Sequence, residues 1–320
     1  MKASDDIPAA PGTTTSGPAA PISIVVCTRD RPASLERCLA ALRRGATQPA
    51  EIVIVDQGEH APVSAVIDAV PHDSPPIHYL RQPPLGLGAA QNAGVRAAVS
   101  DWIAVTDDDC LPDGQWLSVI AGLAASGRYD MVTGRVLPAP AEGDRTLPVA
   151  TRSNTAAREW IGRAPPWHVG SGNNFAVLRA AYLAIGGCDE RLGPGSPAQG
   201  GVDMDLFYRL LRAGARVRFE PASLVLHERQ SKHERLVRRP MYGFGMGACF
   251  GLWLRQRDVH AVPLAARWFV LRVAQVVRPR DVSRAAALRE EATMLGSTVR
   301  GILHGLRAPG VREPENVVDV

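Results

Sequence analysis

The sequence predicts an α/β fold: a mainly parallel central sheet flanked by helices on both faces, followed by a helical C-terminal extension. Three observations predict it. Short β-branched apolar runs alternate with helix-period segments over the first 136 residues. The spacing of 10–15 residues between those runs suits right-handed crossover helices between parallel strands. Several of the runs end in acidic or polar residues, and open α/β sheets place their ligands at such strand ends.

Ile22-Ser23-Ile24-Val25-Val26-Cys27-Thr28 reads as a buried strand. Pro32 suits the first turn of a helix, in which Leu35, Cys38, Leu39 and Leu42 recur at helical spacing towards Gly45. A second strand spans Ile52 to Asp56, a weaker helix Pro62 to Val70, and a third strand Ile77 to Arg81. Gly86-Leu87-Gly88 opens a helix that runs to Val99. The fourth strand, Trp102 to Thr106, leads into Asp107-Asp108-Asp109. A helix with Trp116, Leu117 and Ile120 on its apolar side follows Pro112, and Met131 to Val136 is a further strand. The stretch 138–169 is loose and loop-rich. Asn174 to Leu178 is strand-like, and Ala180 to Ile185 is a short helix ended by Gly186-Gly187. Residues 193–201 form a Gly/Pro/Ser loop, and Asp203 to Ala213 is a strong helix. Arg216 to Glu220 and Ser223 to Leu226 read as two short strands. Beyond His233 the chain is helical, arginine-rich and amphipathic to about Leu306.

These elements divide the chain into a disordered arm over 1–20, a catalytic domain over 21–230, a helical basic extension over 231–307 and a polar tail over 308–320. Hydrophobic residues make up 46% of the 320 residues and charged residues 21%, enough for a sizeable core. The net charge of +4 is mild but uneven, because arginines crowd the C-terminal portion. Such a portion can face acidic lipids or phosphates. It lacks the aromatic interleaving of single-strand nucleic-acid binders, so no nucleic-acid partner is expected. The plainer alternative is a helical extension with solvated arginines. The five cysteines are widely spaced and never form a C-x-x-C pair, which argues against a disulfide framework or a zinc site and for a reducing cytoplasm. No signal peptide and no run of apolar residues long enough to span a bilayer are visible, so the expected location is cytoplasmic, with the inner face of the membrane as a candidate docking surface.

Three consecutive carboxylates repel one another. At a strand end they call for a neutralising cation, and hard divalent cations take oxygen ligands. The other reading is an acidic turn exposed to water. Asp56 ends strand two, Thr28-Arg29-Asp30 follows strand one, and Gly88 to Gly94 opens a helix. In a parallel sheet these positions converge on one edge, as in a binding cleft.

The segments PISIVVCTRDRP, EIVIVDQGE, LGLGAAQNAG, WIAVTDDDC, GSGNNFAVLRAAYLAIGGCDE and GGVDMDLFYRLLRAGARVRFEPASLVLH, in this order and spacing, resemble the inverting family-two glycosyltransferases of the GT-A fold. The resemblance covers 21 to about 230. It implies a nucleotide-sugar half over 21–136 and an acceptor half over 137–230. It implies that Thr28, Arg29 and Asp30 line the nucleotide pocket and that Asp56 accepts hydrogen bonds from base or ribose; a turn or cap role is the alternative for Asp56. Gly88, Gln91 and Asn92 stand in the family's A-R-N-x-G run, with Gln91 in place of the usual arginine, so diphosphate neutralisation leans on the metal and on other arginines. An ordinary helix start remains open for Asn92. The triplet matches the family's D-x-D element: Asp107 and Asp108 on the nucleotide side, Asp109 as the direct ligand of Mg²⁺ or Mn²⁺, which would stabilise the diphosphate leaving group. Asp203 matches the catalytic base, with Val202 in place of the family's usual Glu; a helix cap is compatible with that role. Gly172, Asn173 and Asn174 match the loop bordering donor sugar and acceptor, with a simple turn as the alternative. Trp167 and Asp205 are further candidate acceptor contacts. His227 matches a histidine near the site, as a metal or diphosphate contact or a structural residue.

The activity implied is metal-dependent inverting transfer of a sugar from a nucleotide-diphosphate-sugar to a hydroxyl of a cell-surface glycan, a lipid-linked sugar or a small metabolite. A catalytically inactive sugar-nucleotide-binding module is the alternative, suggested by Val202 and Gln91. Nucleotidyl transfer is disfavoured because TRDRP stands where a glycine- and lysine-rich phosphate loop would.

Overall fold

The computed structural model describes residues 19–58, 62–140, 146–147, 151–277 and 284–309. The N-terminal arm up to residue 18 and the tail from residue 310 lie outside the described residues. The elements follow the expected alternation. β1 (Ala20–Thr28), α1 (Pro32–Arg43), β2 (Pro49–Asp56), α2 (Pro62–Asp68), β3 (Ile77–Arg81), α3 (Leu87–Ala97) and β4 (Trp102–Asp107) form the first half. β5 (Cys110–Pro112), α4 (Trp116–Ala125), β6 (Met131–Pro138), β7 (Thr146–Leu147), β8 (Arg158–Trp160) and α5 (Pro166–Val169) come next. β9 (Asn174–Leu178), α6 (Arg179–Ala184), α7 (Val202–Arg212), β10 (Val217–His227) and β11 (Gln230–Ser231) complete the sheet region. The extension is α8 (Lys232–Arg255), α9 (Ala261–Val277) and α10 (Arg284–Arg307).

The main sheet has the order β3-β2-β1-β4-β9-β6-β10-β5, with β8 also on β10. β1, β2, β3 and β4 run parallel, as does β6 with β10; β9 is the antiparallel insert between the two parallel sets. Alternate side chains of a strand face opposite sides of its sheet. In β1, Val25 therefore joins the core under α3, α7 and α8, while Ile24 and Val26 join the core under α1 and α4. Both faces are buried, which is why these strands read as continuous apolar runs.

Three features depart from the sequence expectation. The stretch expected as two strands forms one, β10 (Val217–His227), whose pairing with β6 shifts register between Glu220 and Leu224. Pro221 lacks an N–H for the ladder, so an irregularity there lets one strand carry both apolar runs. The loop-rich stretch after residue 138 contributes β7, β8 and α5. The residues after the aspartate triplet turn back as β5, antiparallel to β10.

α8 begins with a capping box, Ser231 accepting from the Glu234 N–H and Glu234 from the Ser231 N–H. It packs along α10 through glycines: a Cβ at Gly247 would run into the Thr298 carbonyl, and one at Gly301 into the Phe244 carbonyl. Gly301→Ala is expected to lower stability by about 1–3 kcal/mol, even though helix propensity alone would favour alanine by about 1 kcal/mol. Urea unfolding reads the sign. No helix among the described residues is long and apolar enough to cross a membrane.

Candidate active site

The parallel register brings Cys27 level with Asp107 and Thr28 level with Asp56, so the ends of β1, β2 and β4 share one edge. The β4–β5 turn then fixes the triplet. The Thr28 hydroxyl donates to Asp108 Oδ2 at 2.7 Å, and Arg31 Nη1 donates to Asp109 Oδ2 at 2.8 Å and reaches Asp108 Oδ1 at 3.4 Å. Asp108 is buried, and its carboxylate is held by these two partners. Thr28 and Asp108 thus tie β1 to the acidic turn. Burial and the neighbouring Asp109 push Asp108 up to about 6. Burial, Asp109, Asp108 and Asp203 push Asp107 well above the usual carboxylate range.

His227 lies opposite Cys110 in the β5–β10 register. Its Nδ1 lies 2.7 Å from the Glu228 carbonyl, a contact that places an N–H there, so that the neutral ring turns its lone pair out at Nε2. Nε2 is 3.6 Å from Asp109 Oδ1. One ligand atom from each of Asp107, Asp109, Cys110 and His227 lies within 4.8 Å of the others. Burial raises the Cys110 thiol well above its ordinary range, and a thiolate is a soft ligand. The donors suited to a hard divalent cation are then the two carboxylates and the imidazole, with its far nitrogen anchored as ligating histidines require. Arg31 pairs with Asp108 and Asp109, and the negative charge left on the turn suits a divalent cation.

Asp203 stands on the first turn of α7, whose entry needs Gly201 at φ +84°. Its Oδ2 accepts the Gly172 N–H at 3.0 Å and its Oδ1 the Met204 N–H at 3.0 Å. A Cβ at Gly172 would press on the Asp203 side chain at 2.9 Å, so glycine lets the loop approach it. Burial raises the Asp203 carboxyl above its ordinary range; the two N–H donors and the Arg152 charge oppose that rise. Arg152 is anchored by donating to the Gly170 carbonyl at 2.6 Å.

Several of the residues expected at the site have partners within the protein. Asp205 is buried, with Arg209 Nε at 2.6 Å and Trp253 Nε1 at 2.8 Å, and faces α8 instead of the acceptor side. Two residues along a helix point in different directions, which separates it from Asp203. Asn174 donates to the carbonyls of Arg135 and Ser223 and accepts from Trp116 Nε1, stitching β9 to its neighbours. Asn173 is buried with its Oδ1 unpartnered, and its carbonyl accepts from Thr106. Trp167 packs against Phe250 and Trp268, with its indole N–H unpartnered. Asp56 is buried, accepting from the Gly58 N–H and the Tyr79 hydroxyl, both at 2.7 Å, so its oxygens shape the turn.

The start of α3 is likewise turned inward. Asn92 accepts from the Tyr182 hydroxyl and the Cys188 N–H and donates to the Cys188 carbonyl and Glu190. Gln91 accepts from the Cys188 thiol, and a Cβ at Gly88 would crowd the Asp189 carbonyl at 3.2 Å. These side chains lock α3 to the segment before α7. Asn92→Ala is expected to cost about 2–4 kcal/mol in chemical unfolding, since it strands several buried partners. A donor-binding role would instead raise the donor KM at unchanged stability. Arg29 and Asp30 are exposed and paired at 3.7 Å, with Asp30 at φ +56°.

A cleft of about 350 Å³ opens beside the acidic turn, lined by Arg31, Asp109, His227, Arg229 and Arg238, among others. Arg238 belongs to α8, as does Tyr242, whose hydroxyl feels Asp203, Asp107 and Arg238. Sequence reading missed Arg31, Arg152, Arg238 and Tyr242 as site residues. Arg31 carried a signal, since it stands three residues after Thr28 and the triplet required a counter-charge. Arg152, Arg238 and Tyr242 carried none, because loop and helix packing alone bring them in.

The chain matches the sequence profile of glycosyl transferase family 2 over residues 23–186, half its length. It belongs to that family. This glycosyl transferase family 2 enzyme is 27% identical over 246 residues to the pre-mycofactocin glycosyltransferase of Mycobacterium tuberculosis, covering 74% of the chain and 48% of that protein. The chain thus spans about half the length of this relative. It is also 27% identical over 214 residues to the succinoglycan biosynthesis protein ExoM of Rhizobium meliloti, covering 65% of the chain and 66% of the relative. Among solved structures, Staphylococcus aureus TarS 1-349 in complex with UDP-GlcNAc superposes with a TM-score of 0.62 at 12% identity, over 88% of this chain and 81% of that one. The mannosyltransferase PcManGT of Pyrobaculum calidifontis, in complex with GDP-Man and Mn²⁺, gives 0.57 at 15% identity, over 92% and 91%. These likenesses establish the GT-A fold; the family match establishes a glycosyltransferase.

Proposed function

We propose that this family 2 enzyme is a metal-dependent inverting glycosyltransferase acting on a nucleotide-diphosphate-sugar. The observation that carries the proposal is the placement of Asp203, held by the Gly172 N–H, within electrostatic reach of Asp107 in the acidic cluster. A base and a diphosphate-side metal cluster then flank one space. Asp107, Asp109 and His227 would hold Mg²⁺ or Mn²⁺, and the ion, when bound, neutralises charge that accumulates on the departing diphosphate.

Asp203 takes the proton from the acceptor hydroxyl as that oxygen bonds to the anomeric carbon. The bond from that carbon to the diphosphate oxygen breaks in the same displacement, and the nucleoside diphosphate leaves with the electron pair. One carboxylate suffices, because no glycosyl-enzyme intermediate forms, and the anomeric configuration inverts. Arg31 holds Asp109 in place, and Arg238 with Arg229 brings positive charge to the cleft where Gln91 brings none. Val202 is buried against Gly88 and Gly193, so the carboxylate the family usually carries there has no counterpart in this cleft. The nucleotide half over 21–136 and the acceptor half over 137–230 are part of the same proposal. The pre-mycofactocin glycosyltransferase and the succinoglycan biosynthesis protein among its relatives are consistent with a glycan, lipid-linked or small-molecule acceptor.

Incubation with UDP-, GDP- and dTDP-sugars plus Mn²⁺ and an acceptor panel tests this reading. Nucleoside diphosphate release with an inverted anomeric centre by NMR is expected. Retained configuration, or turnover unaffected by chelator, would overturn it.

A further inference from the structure

The extension presents an unusual outer surface. A solvent-facing helix side is ordinarily polar. The exposed side of α9 carries Val262, Val270, Val273 and Val277, together with Ala266 and Ala274, and its one exposed charge is Arg267. Val270 and Val273 are 68% and 52% exposed. α10 adds exposed Leu303 and Leu306 beside exposed Arg300 and Arg307.

Charge is segregated across the same helices. α9 contains no acidic residue. The two acids of α10 turn inward: Glu290 pairs with Arg239 Nε at 2.8 Å, and Glu291, 1% exposed, pairs with Arg239 and Arg272. The outer surface of α9 and α10 is therefore apolar and cationic, without carboxylates among the described residues. Over 232–309 the sequence has fourteen Lys and Arg against five Asp and Glu, within a chain of net charge only +4.

We propose that this face docks on an anionic lipid bilayer surface, lying in the interface without crossing it. The valines and leucines would enter the headgroup–acyl boundary, and the arginines would meet lipid phosphates. The charge pattern selects this occupant. A second copy meeting the same face about a two-fold axis would set arginines against arginines. A nucleic acid would pair the arginines but leave the valine stripe in water. On its inner side α9 is tied to the catalytic domain, where Trp268 packs against Trp167 at 5.5 Å between ring centroids.

Co-sedimentation of the full chain with vesicles tests the proposal. Binding is expected to equimolar phosphatidylcholine/phosphatidylglycerol vesicles, weak or absent for phosphatidylcholine alone, and reduced by added salt. Val270→Asp with Val273→Asp is expected to weaken it roughly tenfold or more, with thermal unfolding unchanged because both sites are exposed. Arg267→Glu with Arg300→Glu is expected to remove the preference for the anionic lipid. No binding to the mixed vesicles would overturn the proposal. So would wild-type vesicle binding by the valine variant, with duplex DNA displacing the vesicles, which would mark a merely cationic surface. A dimer in sedimentation that the valine variant dissociates, without vesicle binding by the wild type, would overturn it in favour of self-association.

Discussion

Asp203→Asn is expected to lower glycosyl transfer by roughly 10²- to 10⁴-fold, the range that a positioned general base contributes. Donor affinity should change little. The substitution keeps one oxygen to accept either the Gly172 or the Met204 N–H and sets an NH2 against the other, so a modest loss of stability should accompany the loss of the base. A cap without a proton-accepting role would instead lose only stability. The pH profile supplies the second readout. Burial raises the Asp203 carboxyl above its ordinary 3.8, so the base is unprotonated only at higher pH. The acid limb of kcat/KM should therefore lie above pH 3.8, and the residual rate of the asparagine variant should lack it.

Mn²⁺ is expected to raise the Tm of the metal-free protein, increasingly so as pH rises from about 4 to about 7, over which the buried Asp108 titrates near 6. Its folded-state value exceeds its unfolded value, so its contribution to stability is fully present below about 3.8 and lost as pH rises through about 6. The shift of about two units corresponds to a loss on the order of 2–3 kcal/mol. Asp107, also raised, acts in the same direction. Asp130, Asp189 and Asp258 are lowered and act oppositely, but only as pH falls below the ordinary carboxylate range. The window between about 4 and 7 therefore reports on the raised carboxylates, Asp107 and Asp108 of the triplet together with Asp203, with the lowered His168 acting oppositely. A bound cation favours the charged carboxylates and stabilises by about 2.7 kcal/mol at a hundredfold excess over Kd. Asp109→Ala should abolish the Mn²⁺-dependent shift and most transfer activity. An unchanged shift in that variant would remove Asp109 from the metal site.

The alternation of β-branched runs with helical segments, and the strand ends at Thr28, Asp56 and Asp107, were legible because hydrogen bonding and burial of both sheet faces impose local patterns. The acidic triplet was legible as a charge problem. The division of labour within it was not: Asp108 serves Thr28 and Arg31, while Asp109 and Asp107 face His227.

The roles of Asn92, Gln91, Asp56 and Asp205 show why. Each has the polar chemistry of a ligand contact, and each is turned to a buried partner distant in sequence or on another element. A side chain's chemistry is local, but its direction depends on what packs around it. By itself the sequence determined the α/β class, the sheet edge that gathers the acidic residues and the helix that carries Asp203. The tertiary structure alone decided that β5 turns back on β10 to set His227 against Cys110, and that α8 brings Arg238 to the cleft. Antiparallel register and helix docking are long-range contacts, and no local periodicity encodes which distant residue will stand opposite.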